Sequence, residues 1–164
     1  MNITTPAETP AHLRPAADKE IARLIKAGTI EPWEQPTEWS SRGFFVKKGG
    51  KEGEETKVRL VTDFTHLNKI LKRPGYPNEG SSQLVKRIPA NSKYFAVFDL
   101  TSGFHQVRLL EEYRSLFAIV LQNGKFRYKV LPQGTNISPD LFNIVMDGEL
   151  RDKATSSRTW ITSS

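Results

Sequence analysis

The spacing of apolar side chains along this chain changes period several times, and each change marks a new element. The first fifteen residues, rich in Pro, Thr and Ala, carry no period and read as an extended lead-in. Ala17, Ile21, Leu24 and Ile25 then recur at three and four residues, with Asp18 and Glu20 placed for a first turn, Lys26 for a last turn and Gly28 just beyond. That pattern predicts a helix with a narrow apolar stripe, hence one lying on a surface. Residues 29–41 (TIEPWEQPTEWSS) hold two Pro and two Trp, which suits an ordered irregular segment pinned by aromatic burial.

From Gly43 the period shortens to that of strands. GFFVKK and KVRLVTDF are β-branched and aromatic stretches separated by GGKEGEET, and together they predict a hairpin with a long exposed tip. Residues 72–92 are irregular. YFAVFDL (94–100) is a nearly unbroken apolar run of the kind that fills a fully buried strand, with Asp99 at its end. A further strand near Gln106 to Leu109 leads to LFAIVLQ and KFRYKVL, joined by Asn123-Gly124, a strong two-residue hairpin signal. A last helix is expected to open with Ser138 as N-cap and Pro139 at its first position, and to carry Leu141, Phe142, Val145 and Met146 on one face. The sum is an α+β fold, a mostly antiparallel sheet with flanking helices.

Composition narrows the class. A length of 164 residues suits one domain or two closely packed subdomains, and nine Phe, four Tyr and three Trp exceed what a disordered chain carries. Zero Cys excludes disulfides and thiolate zinc sites, and His12, His66 and His105 lack ligand spacing. No apolar run reaches membrane-spanning length and no signal pattern opens the chain, so neither a membrane protein nor a secreted one is expected. The net charge is +6, and it is uneven: between Arg42 and Lys93 twelve Lys and Arg face five Asp and Glu. Such a surface fits a polyanionic partner, through release of condensed counterions, and fits equally a solvated basic face.

Asp99 calls for a chemical explanation, because a carboxylate buried at a strand end is costly unless it meets a cation or several donors. A metal ligand answers that cost, and so does a cap on the turn Thr101-Ser102-Gly103 that follows.

Three blocks, VRLVTDFTHLNK (58–69), YFAVFDLTSGFHQVRL (94–109) and KFRYKVLPQGTNISPDLFN (125–143), resemble in order and spacing successive motifs of reverse transcriptases from gypsy-type LTR retrotransposons and retroviruses. The preceding helix, AGTIEPWEQPTEWSS and GFFVKK resemble the segment upstream of those motifs, so the resemblance spans roughly residues 13–145. It implies the fingers and partial palm of a right-hand polymerase: residues 1–12 as lead-in, 13–72 and 107–137 as fingers, 73–106 and 138–164 as palm.

By the same resemblance, Asp99 matches the first catalytic aspartate, a ligand to two Mg²⁺ ions (Mn²⁺ as alternative), and the Leu100 carbonyl matches a backbone oxygen that helps hold one of them. Two-metal nucleotidyl transfer needs hard carboxylates on a rigid strand pair, to activate a primer 3′-hydroxyl and stabilise the leaving oxygen. Arg59 matches an arginine that clamps the incoming triphosphate, a role suited to a planar fork. Lys48, or its neighbour Lys47, matches a lysine on the terminal phosphate, with the lengthened tip leaving that register open. Phe104 matches the aromatic under the sugar that excludes a 2′-hydroxyl, while Gln133 and Gly134 match residues that approach nucleotide and template base. Plain packing for Phe104, an exposed cation for Arg59 and a simple turn at 132–134 are the bland alternatives. Asp63 and Asn68 match positions that shape a turn, and His105 is expected to be packed or template-facing rather than a general base.

The chain departs from the pattern in one respect: no Asp-Asp pair occurs in it, and the hairpin that bears that pair in the family would begin near Ser164. Asp140, Asp147 and Asp152 do not replace it. The expectation is therefore a fragment of an RNA-directed DNA polymerase that, as given, does not polymerise and binds Mg²⁺ weakly or not at all, a truncated gene model being the simplest account. Its expected partners are an RNA or DNA template–primer duplex, deoxynucleoside triphosphates and the remainder of a Pol polyprotein, in the cytoplasm or a retroelement particle by likeness. The alternative is a noncatalytic retroelement remnant that binds nucleic acid through its basic surface.

Overall fold

The computed structural model describes residues 2–3, 5–49, 55–76, 86, 88, 90–91, 93–94 and 99–151. Helix α1 runs Arg14–Lys26, with proline in its first turn where a missing N–H costs nothing. It therefore starts earlier than the apolar pattern implied, and Asp18 and Glu20 fall beyond its first turn. Ala17, Ile21 and Leu24 are its buried stripe, while Ile25 lies outside it and is exposed. At its C-terminus Gly28 takes φ +69°, so that its own N–H donates to the Ile25 carbonyl and the Thr29 N–H to the Leu24 carbonyl, both at 2.9 Å. This is the terminus that a glycine just past a helix favours.

The strands are β1 (Asn2–Ile3), β2 (Ile30–Pro32), β3 (Trp39–Lys47), β4 (Val58–Asp63), β5 (Ala118–Leu121) and β6 (Gly124–Tyr128). They form one sheet in the order β1-β3-β5-β6-β2, with β4 added to β3. The β3–β4, β5–β6 and β2–β6 pairs are antiparallel, and β1 and β5 run parallel to β3. The mostly antiparallel α+β architecture follows the sequence pattern, and β2 and the start of β3 occupy the stretch 29–41 that the pattern left irregular. Short helices α2 (Thr65–Asn68) and α3 (Glu111–Arg114) precede the long α4 (Ser138–Arg151).

The core lies on one face of the sheet. Ser41, Gly43 and Phe45 alternate inward along β3, and Gly43 leaves room for the Leu121 side chain, which a Cβ there would displace. Phe64 is almost wholly buried, with ring centroids 6.2 Å from Phe117 and 6.1 Å from Tyr128. Burying a ring of this size contributes about 1.5–3 kcal/mol. The Tyr128 hydroxyl pairs with Thr62 at 2.9 Å, and burial pushes its pKa up to about 12.

Three expectations change. The β5–β6 hairpin pairs Leu121 with Gly124, so its two loop residues are Gln122 and Asn123, and Gly124 at φ +132° opens β6. The strand expected near 106–109 reduces to a 3₁₀ turn, Gly103–Gln106, and a single bridge between Arg108 and Val130. On α4, Phe142 is buried but Val145 is exposed, and the Ser138 hydroxyl donates to the Pro132 carbonyl at 2.6 Å. Residues 50–54 of the hairpin tip, 95–98 of YFAVFDL and 152–164 lie outside the described residues.

Candidate active site

The β3–β4 hairpin sorts its side chains by register. Val46 stands opposite Arg59 and Lys47 opposite Val58, and the Lys48 N–H donates to the Lys57 carbonyl at 2.8 Å. Since successive side chains alternate between faces, Lys47 shares the inward face with buried Val58 and Phe45, whereas Lys48 falls on the outward face with Arg59. That outward face carries Arg42, Lys48, Lys57 and Arg59, with the Phe44 ring between them; among the described residues Asp63 is the carboxylate within the paired strands, and Glu55, near Lys57, pairs with Lys19 of α1. Asp63 is already engaged: its side chain accepts the Thr65 N–H at 3.0 Å, and these bonds to Thr65 hold its pKa below the usual carboxylate range.

The Gln133–Gly134 turn is locked to the end of this hairpin. Gly134 has φ +94°, and a Cβ on it would lie 3.6 Å from the Thr62 carbonyl. Asn68 donates to the Gly134 carbonyl at 3.0 Å and accepts the Asn136 N–H at 2.8 Å, while the Asn136 amide donates to the Asn68 carbonyl at 2.9 Å. Two asparagines thus zip the α2 segment to the turn, leaving Gln133 exposed at its tip. Arg59 lies three residues back along β4 from Thr62, about 10 Å at the rise of a strand. Asn68 thus ties α2 to the Gln133–Gly134 turn, a contact distinct from the turn after the β3–β4 hairpin that its position suggested; Asn136 carried no signal, since a lone Asn in a polar stretch is uninformative.

Phe104 approaches from the other side. The Leu131 N–H donates to the Val107 carbonyl at 2.8 Å and the Leu109 N–H to the Lys129 carbonyl at 2.9 Å, an antiparallel run that carries the chain toward Gln133 from the end at which it leaves Phe104. The Phe104 ring is half-buried, edge-to-face on Phe142 with centroids 5.2 Å apart. Gly103 beside it leaves room for that ring, as a Cβ would meet the Phe142 ring closely, at 3.1 Å. Ser102 holds φ +52°, strained for a residue with a side chain, and its carbonyl accepts the His105 N–H.

Asp99 does not meet the sequence expectation of a buried carboxylate. It and Leu100 are exposed, in coil, before the Thr101–Ser102 turn. Among the described residues no group of three or more His, Asp or Glu is placed to hold a metal. Asp140 cannot serve, because it is fully buried and accepts both arms of the Arg73 guanidinium at 3.0 and 3.1 Å; Asp147 accepts the Tyr76 hydroxyl. The donor set described here therefore does not fit a two-ion site. His105 is half-buried and faces Arg23, not a carboxylate; desolvation first and that charge second hold its pKa below the usual histidine value. No helix among the described residues is long and apolar enough to cross a membrane.

Residues 46–160 match the family described as "Reverse transcriptase (RNA-dependent DNA polymerase)". The chain is 32% identical over 143 residues to the retrovirus-related Pol polyprotein from transposon opus of Drosophila melanogaster, a match covering 87% of this chain and 14% of that polyprotein. The Pol polyprotein from transposon gypsy of the same organism is 30% identical over 138 residues, 83% of this chain and 13% of the relative. The chain thus spans about one seventh of these relatives. The native protease–reverse transcriptase of prototype foamy virus shares its fold, with TM-score 0.74 at 23% identity over 92% of this chain and 19% of that one. The foamy viral protease–reverse transcriptase in complex with an RNA/DNA hybrid gives TM-score 0.69 at 19% identity over 98% of this chain and 21% of that one.

Proposed function

Because the chain belongs to the reverse transcriptase (RNA-dependent DNA polymerase) family, we propose that it supplies the fingers and part of the palm of an RNA-directed DNA polymerase that extends a primer with deoxynucleotides on an RNA or DNA template. The observation that carries this reading is the outward face of the β3–β4 hairpin, where Arg42, Lys48, Lys57, Arg59 and Phe44 lie beside the Gln133–Gly134 turn and both described carboxylates, Asp63 and Glu55, are engaged. Cations with an interleaved aromatic suit phosphates and stacked bases. In this reading residues 13–72 and 107–137 are fingers and 73–106 and 138–164 are palm.

Arg59 grips the triphosphate of an incoming deoxynucleotide with its fork, and Lys48, on the same face, neutralises the terminal phosphate. Gln133 contacts the nucleotide, and Gly134, bare of a side chain, admits the template base close to the backbone. Phe104, braced by Phe142, sits under the sugar. Asp99 and the Leu100 carbonyl are the donors this chain would offer toward divalent ions, whose chemistry would be activation of a primer hydroxyl. With one carboxylate and no Asp-Asp pair, the ligand charge falls short, and the chain alone is inactive.

Primer extension with Mg²⁺ tests this: no extension is expected from the purified chain, and template-dependent extension abolished by Asp99→Ala would overturn the assignment of inactivity. A second reading, a noncatalytic retroelement remnant that binds nucleic acid through the same face, is favoured by the exposure of Asp99 in coil. The two part on triphosphate binding, which Arg59→Ala weakens in the first reading and leaves untouched, because absent, in the second.

A further inference from the structure

A separate basic cleft opens where the C-terminus of α1 meets the bridge between Arg108 and Val130. Gly28, His105, Gln106, Arg108, Arg114 and Lys129 line it, and it encloses about 400 Å³, the volume range of small-ligand sites. Its charges do not balance. Glu31 lies 2.6 Å from Arg127, 3.4 Å from Lys129 and 3.8 Å from Arg114, and Glu111 pairs with both Arg114 and Arg127. Two carboxylates thus serve three cations, and Arg108, a fourth, is exposed and meets no acidic partner among the described residues.

The rest of the lining leaves that surplus available. Arg114 is held at the wall by its Nε, which donates to the Leu109 carbonyl at 3.1 Å. Gln106 is fixed by donating to the Thr101 carbonyl at 3.1 Å. Apart from its own chain neighbours, nothing lies within 4 Å of where a Gly28 Cβ would stand, so that wall opens on free space. His105 adds a ring nitrogen for hydrogen bonding, next to Arg23. A free guanidinium fork beside an ammonium in a partly enclosed cleft is the chemistry that recognises a phosphate oxyanion.

We propose that this cleft is a phosphate-binding subsite that seats one backbone phosphate of a nucleic-acid strand, gripped by Arg108 and Lys129. The phosphate chemistry stands on the cleft itself; the nucleic-acid source rests on the function proposed above.

The test uses the 164-residue chain and its Arg108→Gln/Lys129→Gln double variant, both checked for an unchanged melting temperature without ligand. Binding of a primer–template duplex with a single-stranded overhang is followed by fluorescence anisotropy across salt, and the melting temperature is measured with added tripolyphosphate. The double variant is expected to bind the duplex about tenfold more weakly, with the slope of log K against log salt reduced by roughly 1, the signature of one lost phosphate contact. Tripolyphosphate, which the Arg59–Lys48 face can also hold, is expected to raise the melting temperature of the parent more than that of the variant. Unchanged duplex binding together with reduced tripolyphosphate stabilisation would make the cleft a site for free phosphates and overturn the nucleic-acid assignment. Failure of the parent to bind duplex, with stabilisation still dependent on these two residues, would have the same meaning and would sink the proposed function as well. No difference between the two proteins in either arm would overturn the subsite altogether.

Discussion

Around the sheet, Phe64, Ile119 and Leu121 keep 2% or less of their surface in water, whereas Leu100, Ile144 and Val145, near the 99–106 turn and on α4, keep about two fifths. The first region is closed by its own sequence: inward residues of β3 and β5 and the ring cluster around Phe64 bury one another. The second region holds its place through particular polar contacts, the Arg73–Asp140 fork and the Asn68–Asn136 zipper, with Phe104 on Phe142 as its ring contact. The contrast separates where stability resides from where the candidate chemistry sits. Asp99, Arg59, Lys48 and Gln133 are all exposed, so their loss should affect binding far more than folding.

The sharpest way to break this contrast is to remove a ring from the closed region. Phe64→Ala should cost about 3–5 kcal/mol by urea denaturation, against less than about 1 kcal/mol for Leu100→Ala. Equal losses would mean that the two regions are packed alike. Next in size, Gly43→Val places a side chain on Leu121 and should cost about 1–3 kcal/mol. Adding Leu121→Ala to it should then cost less than the two single changes together, and simple additivity would refute the close contact. Gly134→Ala, at φ +94°, should lose about 1–2 kcal/mol, and recovery of full stability would show that the turn can relax.

The smallest expected effect is a pH dependence. Burial, helped by the charge of Arg23, depresses the folded-state pKa of His105, so the unfolded chain takes up a proton first as pH falls. Stability conferred by the neutral imidazole is therefore complete above the unfolded value of about 6.5 and declines as pH drops from there toward the folded pKa. Urea midpoints at about pH 7.5 and 5.5 should differ more for the parent chain than for His105→Gln. A parent profile as flat as that of the variant would mean that His105 is hydrated.

Much of the closed region was legible because its signals are local. The three- and four-residue spacing in α1, the glycine past its end and the alternation in β3 and β4 each state a period. The starting point of α1 was not legible, since Pro15 favours a first turn that carries no apolar periodicity. The register of Lys47 and Lys48 was not legible either, because the sequence gives no pairing partner; it took Val46 opposite Arg59 to put Lys48 on the outward face. Asp140 read as one more acid on a helix, and only its burial against Arg73 removes it from metal chemistry. For Asp99 the apolar run before it suggested burial, yet an apolar strand says nothing about what covers the residue at its end.

The central claim is that the outward face of the β3–β4 hairpin carries nucleic acid, and its most direct test is the salt dependence of duplex binding by the purified chain. Between about 50 and 200 mM salt the association constant for a primer–template should fall roughly a hundredfold, as for about four phosphate contacts, and Arg42→Gln with Lys57→Gln, the two cations of that face not assigned to the triphosphate, should lower the log–log slope by about 2. Binding that is indifferent to salt, or a slope that the two substitutions leave unchanged, would contradict it.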